Sequence, residues 1–222
     1  MGTKLGPVIA IDGPAGTGKS SVTKQLAEKL KFTHVDTGSL YRAIAYLATQ
    51  SIENSESTNQ METLAQAANR HARTAKLEFK RIMKLNPKNR VFANDTDVTN
   101  FIRTPEISMM ASQVSSVPEV RAALLGLQRK LGALGRTILE GRDIGTVIFP
   151  DADVKFFMTA SVEERAKRRL AELEVSGSDV PTFQDVKNQI SDRVNKNFKV
   201  GYFLLTLAQR DLDLWPLGDI RR

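Results

Sequence analysis

The chain of 222 residues contains no cysteine. Disulfide staples, thiolate nucleophiles and cysteine-held zinc are therefore excluded, which fits a reducing cytoplasm. Aromatic residues make up only 6% of the sequence and do not alternate with basic positions, so no stacking platform for single-stranded nucleic acid is visible. No apolar run approaches the roughly 20 residues of a membrane span, and the first residues lack the basic, apolar, small-residue succession of an export signal. Gly6 stands where myristoylation prefers Ser or Thr. Acids are the scarcer charge, 25 against 32 Lys and Arg, which leaves a net charge of +7. Such a surplus attracts anions without saying which. Much of it sits beside acids in helical patterns such as "SVEERAKRRLAELE", as on a solvated helix face. These features predict a cytoplasmic chain with neither membrane nor nucleic acid as partner; a monomer is expected. At this length about 70 to 75% of the unfolded surface can be buried, enough for a core without staples.

What the chain does have is concentrated in a few turns. Val8 to Ile11 form a short β-branched run, and "DGPAGTGKSS" follows at once. Such a run predicts a buried strand. Gly13, Gly16 and Gly18 leave the backbone free to take positive φ and to curl its N–H groups around an anion. Val22, Leu26 and Leu30 then recur at i, i+4, i+8, which predicts a helix starting near Lys19 with that stripe inward. A strand, a glycine turn and a helix N-terminus make an anion site, because unpaired N–H groups and the helix dipole point the same way. Gly13-x-x-x-x-Gly18-Lys19-Ser20 fits the phosphate-binding loop pattern in full. Gly13, Pro14, Ala15, Gly16, Thr17, Gly18, Lys19, Ser20 and Ser21 are thus candidates to hold a nucleoside triphosphate, with Ser20 as the Mg²⁺ ligand.

Apolar periodicity organises the remainder. Leu40, Ala43, Ile44, Leu47 and Ala48 mark a helix beginning just beyond a turn Asp36-Thr37-Gly38-Ser39, and a shorter helix is predicted from Met61 to about Ala72. Residues 75–99 read as extended segments around an Asn-Pro turn, a small antiparallel insert. Helices are predicted from Pro105 and Pro118. "TILEGRDIGTVIFP" reads as a second strand ending in a polar turn, and "VKFFMTA" as a third. Ser161 with Glu164, and Thr182 with Asp185, have the spacing of capping boxes for two further helices, to about Glu174 and Arg193. Strands alternating with helices predict an α/β fold, a parallel sheet covered on both faces with its ligands at the carboxyl ends of the strands.

Three polar turns, the glycine loop, "DTGSLYR" and "EGRD", each follow an apolar run and should surface at one sheet edge. Together they offer Lys19, Arg42 and Arg142 to phosphates, Arg through its bidentate fork. They also offer Asp36, Glu140 and Asp143 to a metal-bound water, a base or a ribose. A surface position for Arg42 and a turn-stabilising ion pair for Arg142 and Asp143 are the alternatives. Transfer to a phosphate oxygen needs no dedicated base, because the nucleophile is already an anion.

"VIAIDGPAGTGKS", "DTGSLYR", "ASQVSSVPEVRAALLGLQR", "LEGRDIGTVIFPDADVKFFMTAS" and "EERAKRR" resemble, in order, the motifs of bacterial cytidylate kinases, P-loop nucleoside monophosphate kinases. The resemblance covers about residues 7–193. It implies a three-layer P-loop core at 1–36 and 104–222 with a lid at about 165–193, and an acceptor-binding region at 37–103 that carries the insert. It implies transfer of the γ-phosphoryl of ATP to CMP or dCMP. Carried over by position, it assigns the acceptor phosphate to Arg42, Arg142 and Arg193, and the cytosine to Ser112, Arg121 and Asp143. An acid, an arginine and a hydroxyl match the donor and acceptors of a cytosine edge. It gives Asp36, Thr37, Gly38 and Tyr41 to the acceptor side, with core packing the alternative for Tyr41. Lys19, Arg142, Arg168 and Arg193 are the implied catalytic cations, with Arg169 a second lid candidate. A nucleic-acid-binding ATPase or a relative with weak turnover are the competing readings.

The chain departs from this pattern after Arg193. The family's Arg-Asp-x-x-Asp-x-x-Arg becomes "RVNKNFKV", so Asn197 replaces an acid and Val200 an arginine. A genuine variant and a shifted reading frame both account for it. In the family the acid meets the acceptor ribose and the arginine its phosphate, and each charge-assisted hydrogen bond is worth about 1.5 to 3 kcal/mol. The double change Asn197→Asp with Val200→Arg should therefore lower the KM for CMP at least ~10-fold and leave that for ATP unchanged, in a coupled kinetic assay.

Overall fold

In a computed structural model the described residues are 5–55, 62–82, 88–176 and 181–199. Strands β1 (Val8–Asp12), β2 (Thr33–Asp36), β6 (Thr137–Gly141) and β7 (Val154–Phe157) form a sheet in the order β2-β6-β1-β7, all pairs parallel. Between β2 and β6 runs a second, antiparallel sheet of β3 (Leu77–Ile82), β4 (Lys88–Ala93) and β5 (Thr96–Asp97). The extended insert predicted at 75–99 is thus present as three strands; its Asn-Pro turn lies outside the described residues.

Helices α1 (Lys19–Leu30), α2 (Thr37–Ser55), α3 (Leu64–Thr74), α4 (Pro105–Val114), α5 (Pro118–Ala133), α6 (Val162–Ser176) and α7 (Phe183–Lys199) fill the connections. Thr63 and Gln66 cap α3 reciprocally, Thr104 caps α4, and Thr182 with Asp185 closes the box at the start of α7. Alternation along β1 sends Val8 and Ala10 to one face of the sheet, with Leu139, Ile144 and Phe149, and Ile9 and Ile11 to the other, with Ala27 and Ile138. Both faces are therefore covered, as the run of buried strand residues predicted. A separate core joins α2, α3, α4 and α5 to the insert, and α6 packs on α7 through Ala166, Val186 and Ile190.

Three local expectations are corrected. Helix α1 does not turn Val22 and Leu30 inward: both are exposed, and Thr23 and Ala27 are buried, with Leu26 partly so. Its rotation is set by the loop before it, which aims Ser20 at β6, and residues 20, 23 and 27 share that face. Small side chains there let the helix lie close on the sheet. Helix α2 begins at Thr37 and not beyond Ser39, because Asp36 caps it, its Oδ1 accepting from the Ser39 amide at 3.3 Å. Finally, β6 ends at Gly141, and Ile144–Ile148 wind into one wide turn with i→i+5 bonds from the amides of Ile148 and Phe149.

Helix α5 holds a direct test of the packing. A Cβ on Gly132 would overlap the Phe149 ring and stand 3.1 Å from Leu139 Cδ1, whereas one on Gly126 would meet nothing within 4 Å. Gly132→Ala should destabilise by about 1–3 kcal/mol through overpacking. Gly126→Ala should stabilise by about 0.5–1 kcal/mol by favouring the helix. Thermal melts of the two variants should move in opposite directions.

Candidate active site

The parallel register decides what meets what. Asp12 at the end of β1 pairs with Gly141, and Asp36 at the end of β2 with Glu140, so the three turns leave one edge side by side. Thr37 Oγ1 donates to the Glu140 carbonyl at 2.8 Å and ties the start of α2 to β6. The approach is tight, for a Cβ on Gly141 would stand 2.8 Å from that hydroxyl.

The glycine loop has the geometry its sequence demands. Gly13, Gly16 and Gly18 take φ of 145°, 78° and 88°, and only glycine does so without strain. Pro14 O accepts from Thr17 Oγ1 at 3.0 Å and from Lys19 Nζ at 2.7 Å. Helix α6 lies against the loop: Arg165 Nε donates to Ala15 O at 2.8 Å and Arg168 Nη1 reaches Gly16 O at 3.5 Å. Arg169 instead pairs with Glu172 of its own helix. Ser21 is exposed on α1.

Ser20 Oγ donates to Glu140 Oε1 at 2.8 Å. Glu140 is buried, and its Oε2 has no hydrogen-bond partner among the described residues. A hydroxyl beside a carboxylate with a free buried oxygen is a hard oxygen donor set of the kind that holds hydrated Mg²⁺. Burial lowers the Lys19 ammonium to about 8, and Arg142 pushes the same way against Glu140, Asp12 and Asp36. Burial likewise raises the Asp12 carboxyl to about 6, although the amides of Gly145 and Ile144 oppose it. Burial would raise Asp36 too, but Arg42, Ser39 and His34 outweigh it and hold its carboxyl below the ordinary range.

On the second turn, Arg42 Nη2 donates to Asp36 Oδ2 at 2.5 Å and to Ser39 Oγ at 2.8 Å. Gly38 keeps this pair uncrowded, since a Cβ there would stand 3.0 Å from Asp36 Oδ1. On the third turn, Asp143 is buried and receives a short bond from Arg121 Nη2. The structure thus brings together Lys19, Ser20, Asp36, Arg42, Glu140 and Arg142, and separately Arg121 with Asp143. Ser112 is exposed on α4, and Tyr41 is buried in the α2 core and does not line the cleft. The side chain of Arg193 lies outside the described residues, as do Val200 and all that follows.

A cleft of about 550 Å³ opens between the parallel sheet and the insert, lined by Ser20, Asp36, Arg42 and Glu140. Arg103, His34 and Phe79 line it as well, and no motif had pointed to them. Arg103 follows the insert in an unpatterned stretch, so only the fold brings it here. Among the described residues no helix is long and apolar enough to cross a membrane.

Comparison with known proteins agrees with this geometry. A family model described as "Cytidylate kinase" matches residues 9–209 and so runs past Asn197. The chain is 42% identical over 179 residues to "Cytidylate kinase" of Syntrophotalea carbinolica, covering 81% of this chain and 72% of that protein. It is 43% identical over 185 residues to "Cytidylate kinase" of Carboxydothermus hydrogenoformans, covering 83% and 78%. Against "Bifunctional pantoate ligase/cytidylate kinase" of Prochlorococcus marinus the identity is 41% over 208 residues, 94% of this chain and 39% of that protein.

The position of Lys19 generates a pH dependence. With its ammonium lowered to about 8, Lys19 sheds above that pH the proton that an anionic ligand needs. Binding of a nucleoside triphosphate should then take up a proton and weaken as pH rises above about 8, approaching ~10-fold per unit. Calorimetric titration from pH 7 to 9.5 in buffers of different ionisation enthalpy checks both the slope and the proton uptake.

Proposed function

The chain belongs to the cytidylate kinase family and is an ATP-dependent nucleoside monophosphate kinase, and from that premise we propose how its residues move the γ-phosphoryl of ATP to CMP or dCMP. The observation that carries the reading is the shared sheet edge, where a phosphate loop, an Asp36–Arg42 turn and the Arg142–Asp143 turn stand side by side. A nucleic-acid-binding ATPase would leave the second and third turns without work.

In this reading residues 13–21 hold the triphosphate, with backbone amides around it and Lys19 beside the transferring group. Lys19 must then leave Pro14 O, a neutral acceptor that gives way to a charged one at little cost. Ser20 and Glu140 are the residues that would hold Mg²⁺ and its water, a cation that neutralises the charge shared by the bridging phosphates. Arg42 and Arg142 take the acceptor phosphate from two turns, and Arg103 approaches from the insert side. Arg193 completes that set by position. Arg168 extends from α6 over the loop and supplies charge at transfer, as a built-in arginine finger does.

Asp143 reads the exocyclic amine of cytosine as acceptor, and Arg121 reads a carbonyl or ring nitrogen. Their mutual bond fixes the order of donor and acceptor before the base arrives. Uracil presents a carbonyl where cytosine presents the amine, and a carbonyl against Asp143 sets two acceptors face to face with no proton between them. By the same division residues 37–103 form the acceptor region and 1–36 with 104–222 the kinase core, with its lid at about 165–193.

Two variants test the assignments. Lys19→Ala should lower kcat by more than ~10-fold while the melt is unchanged, because a cation at the transferring group stabilises the transition state by more than ~1.4 kcal/mol. Asp143→Ala should raise the KM for CMP and erase the preference for CMP over UMP, with the KM for ATP little changed. A preference that survives would move the base-reading acid elsewhere.

A further inference from the structure

The wide turn Ile144–Ile148 directly follows Asp143, and it is gripped at both ends. At its start Asp12 Oδ1 accepts from the Ile144 amide and Oδ2 from the Gly145 amide, each at 2.8 Å. At its finish Arg129 of α5 donates from Nε to Ile148 O and from Nη2 to Val147 O, each at 3.2 Å. An anion thus sits on the free amides and a cation on the free carbonyls, the arrangement that opposes the dipole of a helical turn at each end. The turn also hangs on Asp143 itself, whose carbonyl accepts from Val147 N at 2.9 Å and Ile148 N at 3.2 Å.

Turns with i→i+5 bonds are rare and costly, and they persist only where the surroundings hold them. Neither grip is needed to close the sheet. Asp12 in particular is a buried acid at the strand end just before the phosphate loop, and among the described residues its side-chain hydrogen bonds go to the Ile144 and Gly145 amides and to no phosphate-binding side chain. Its two oxygens spend themselves on the backbone that carries Arg142 and Asp143. Arg129 lies on the outer face of the same turn, exposed, beyond the reach of the cleft lining.

We propose that Asp12 and Arg129 are positioning residues for base recognition, clamping the wide turn so that the Asp143 carboxylate is held where Arg121 and the cytosine amine both meet it. This inference rests on the reading of Asp143 as the base-reading acid. A clamp of this kind acts on one subsite: it sets the acceptor's base and leaves the phosphate loop's grip on ATP alone. It also links the strand that feeds the donor loop to the turn that reads the acceptor.

The test compares KM for CMP, UMP and ATP in the whole chain for Arg129→Met, Arg129→Lys, Asp12→Asn and Asp143→Ala. Arg129→Met keeps the stem and removes the fork, and it should raise the KM for CMP and lower the CMP-to-UMP preference about five-fold, the equivalent of one net hydrogen bond. The KM for ATP should stay within about two-fold, and Arg129→Lys should restore part of the preference as a point cation. Hydrogen exchange across residues 142–149 should quicken in Arg129→Met and Asp12→Asn. A merely structural role would lower the melting temperature without moving the preference. If Asp143→Ala erases the preference and neither clamp variant changes it, the clamp is refuted on its own. If Asp143→Ala leaves the preference intact, the base-reading assignment falls first and the clamp with it. Should Asp12→Asn fail to fold, Arg129→Met, a surface change, decides the question alone.

Discussion

Everything at this site depends on the parallel pairing of β6 between β1 and β2. Parallel strands all end on one side, so three chain segments far apart in sequence release their turns at one edge. The register is specific: Asp12 beside Gly141 and Asp36 beside Glu140. A slip of one residue along β6 would turn Glu140 to the other face and replace it with Leu139 or Gly141. Ser20 would then lose its carboxylate and Thr37 its carbonyl. Burial of Val8, Ile11, Ile138 and Leu139 from both sides makes that slip prohibitive. The hydrophobic pattern is in this sense what aligns the charges.

Concentrating those charges works against stability, and the local pairings show how the cost is contained. Lys19 is depressed and Asp12 raised, both mainly by burial, so each ionised form is held at a disadvantage, which an anionic ligand relieves for Lys19 and the amides of Ile144 and Gly145 relieve in part for Asp12. The sign differs between the two. As pH falls through about 6 Asp12 gains its proton, which burial favours but which removes one acceptor from the amides of Ile144 and Gly145. As pH rises through about 8 Lys19 loses the charge that a triphosphate requires. The two titrations run in opposite directions from the same cause, burial at one sheet edge.

The glycine loop, strands β1, β6 and β7 with the helices between them, and the antiparallel insert were legible in the sequence because each has a local cause: positive φ, period 3.6, period 2; β2 was not, since only Val35 of Thr33–Asp36 is buried and no apolar run marks the strand. The inward stripe of α1 was not. Val22 and Leu30 satisfy apolar periodicity, yet Thr23 and Ala27 face the sheet because the loop geometry fixes the rotation of the helix before hydrophobicity acts on it. The wide turn after Asp143 was hidden for a related reason. "IGTVIFP" has the composition of a strand, and long-range bonds, among them a carboxylate 132 residues upstream that accepts from the Ile144 amide, hold it as a helical turn. Arg103 was unreadable because its place in the cleft is decided by the docking of the insert. Propensity fails in these places because tertiary bonds override it.

The acceptor-side arginines also differ in how much of each is already spent. Arg121 is committed to Asp143 and to the Ser115 carbonyl at 3.4 Å, so it can read a base edge only with donors that remain after those bonds. Arg42 is anchored by one nitrogen, Nη2, to Asp36 and Ser39, while its Nε is buried with no partner among the described residues. A guanidinium carries five N–H donors in a fixed fork, so an anchored edge leaves another in a set direction. A buried donor without an acceptor costs about 1–3 kcal/mol, which a bound anion on that edge returns. In the proposed assignment of Arg42 to the acceptor phosphate, Asp36 is therefore no competitor for it. It orients the fork, lowers the entropy lost on binding, and keeps a third cation near Lys19 and Arg142 from raising the electrostatic cost of the site. Holding the cation by a carboxylate on one side lets the same arginine meet a phosphate on the other.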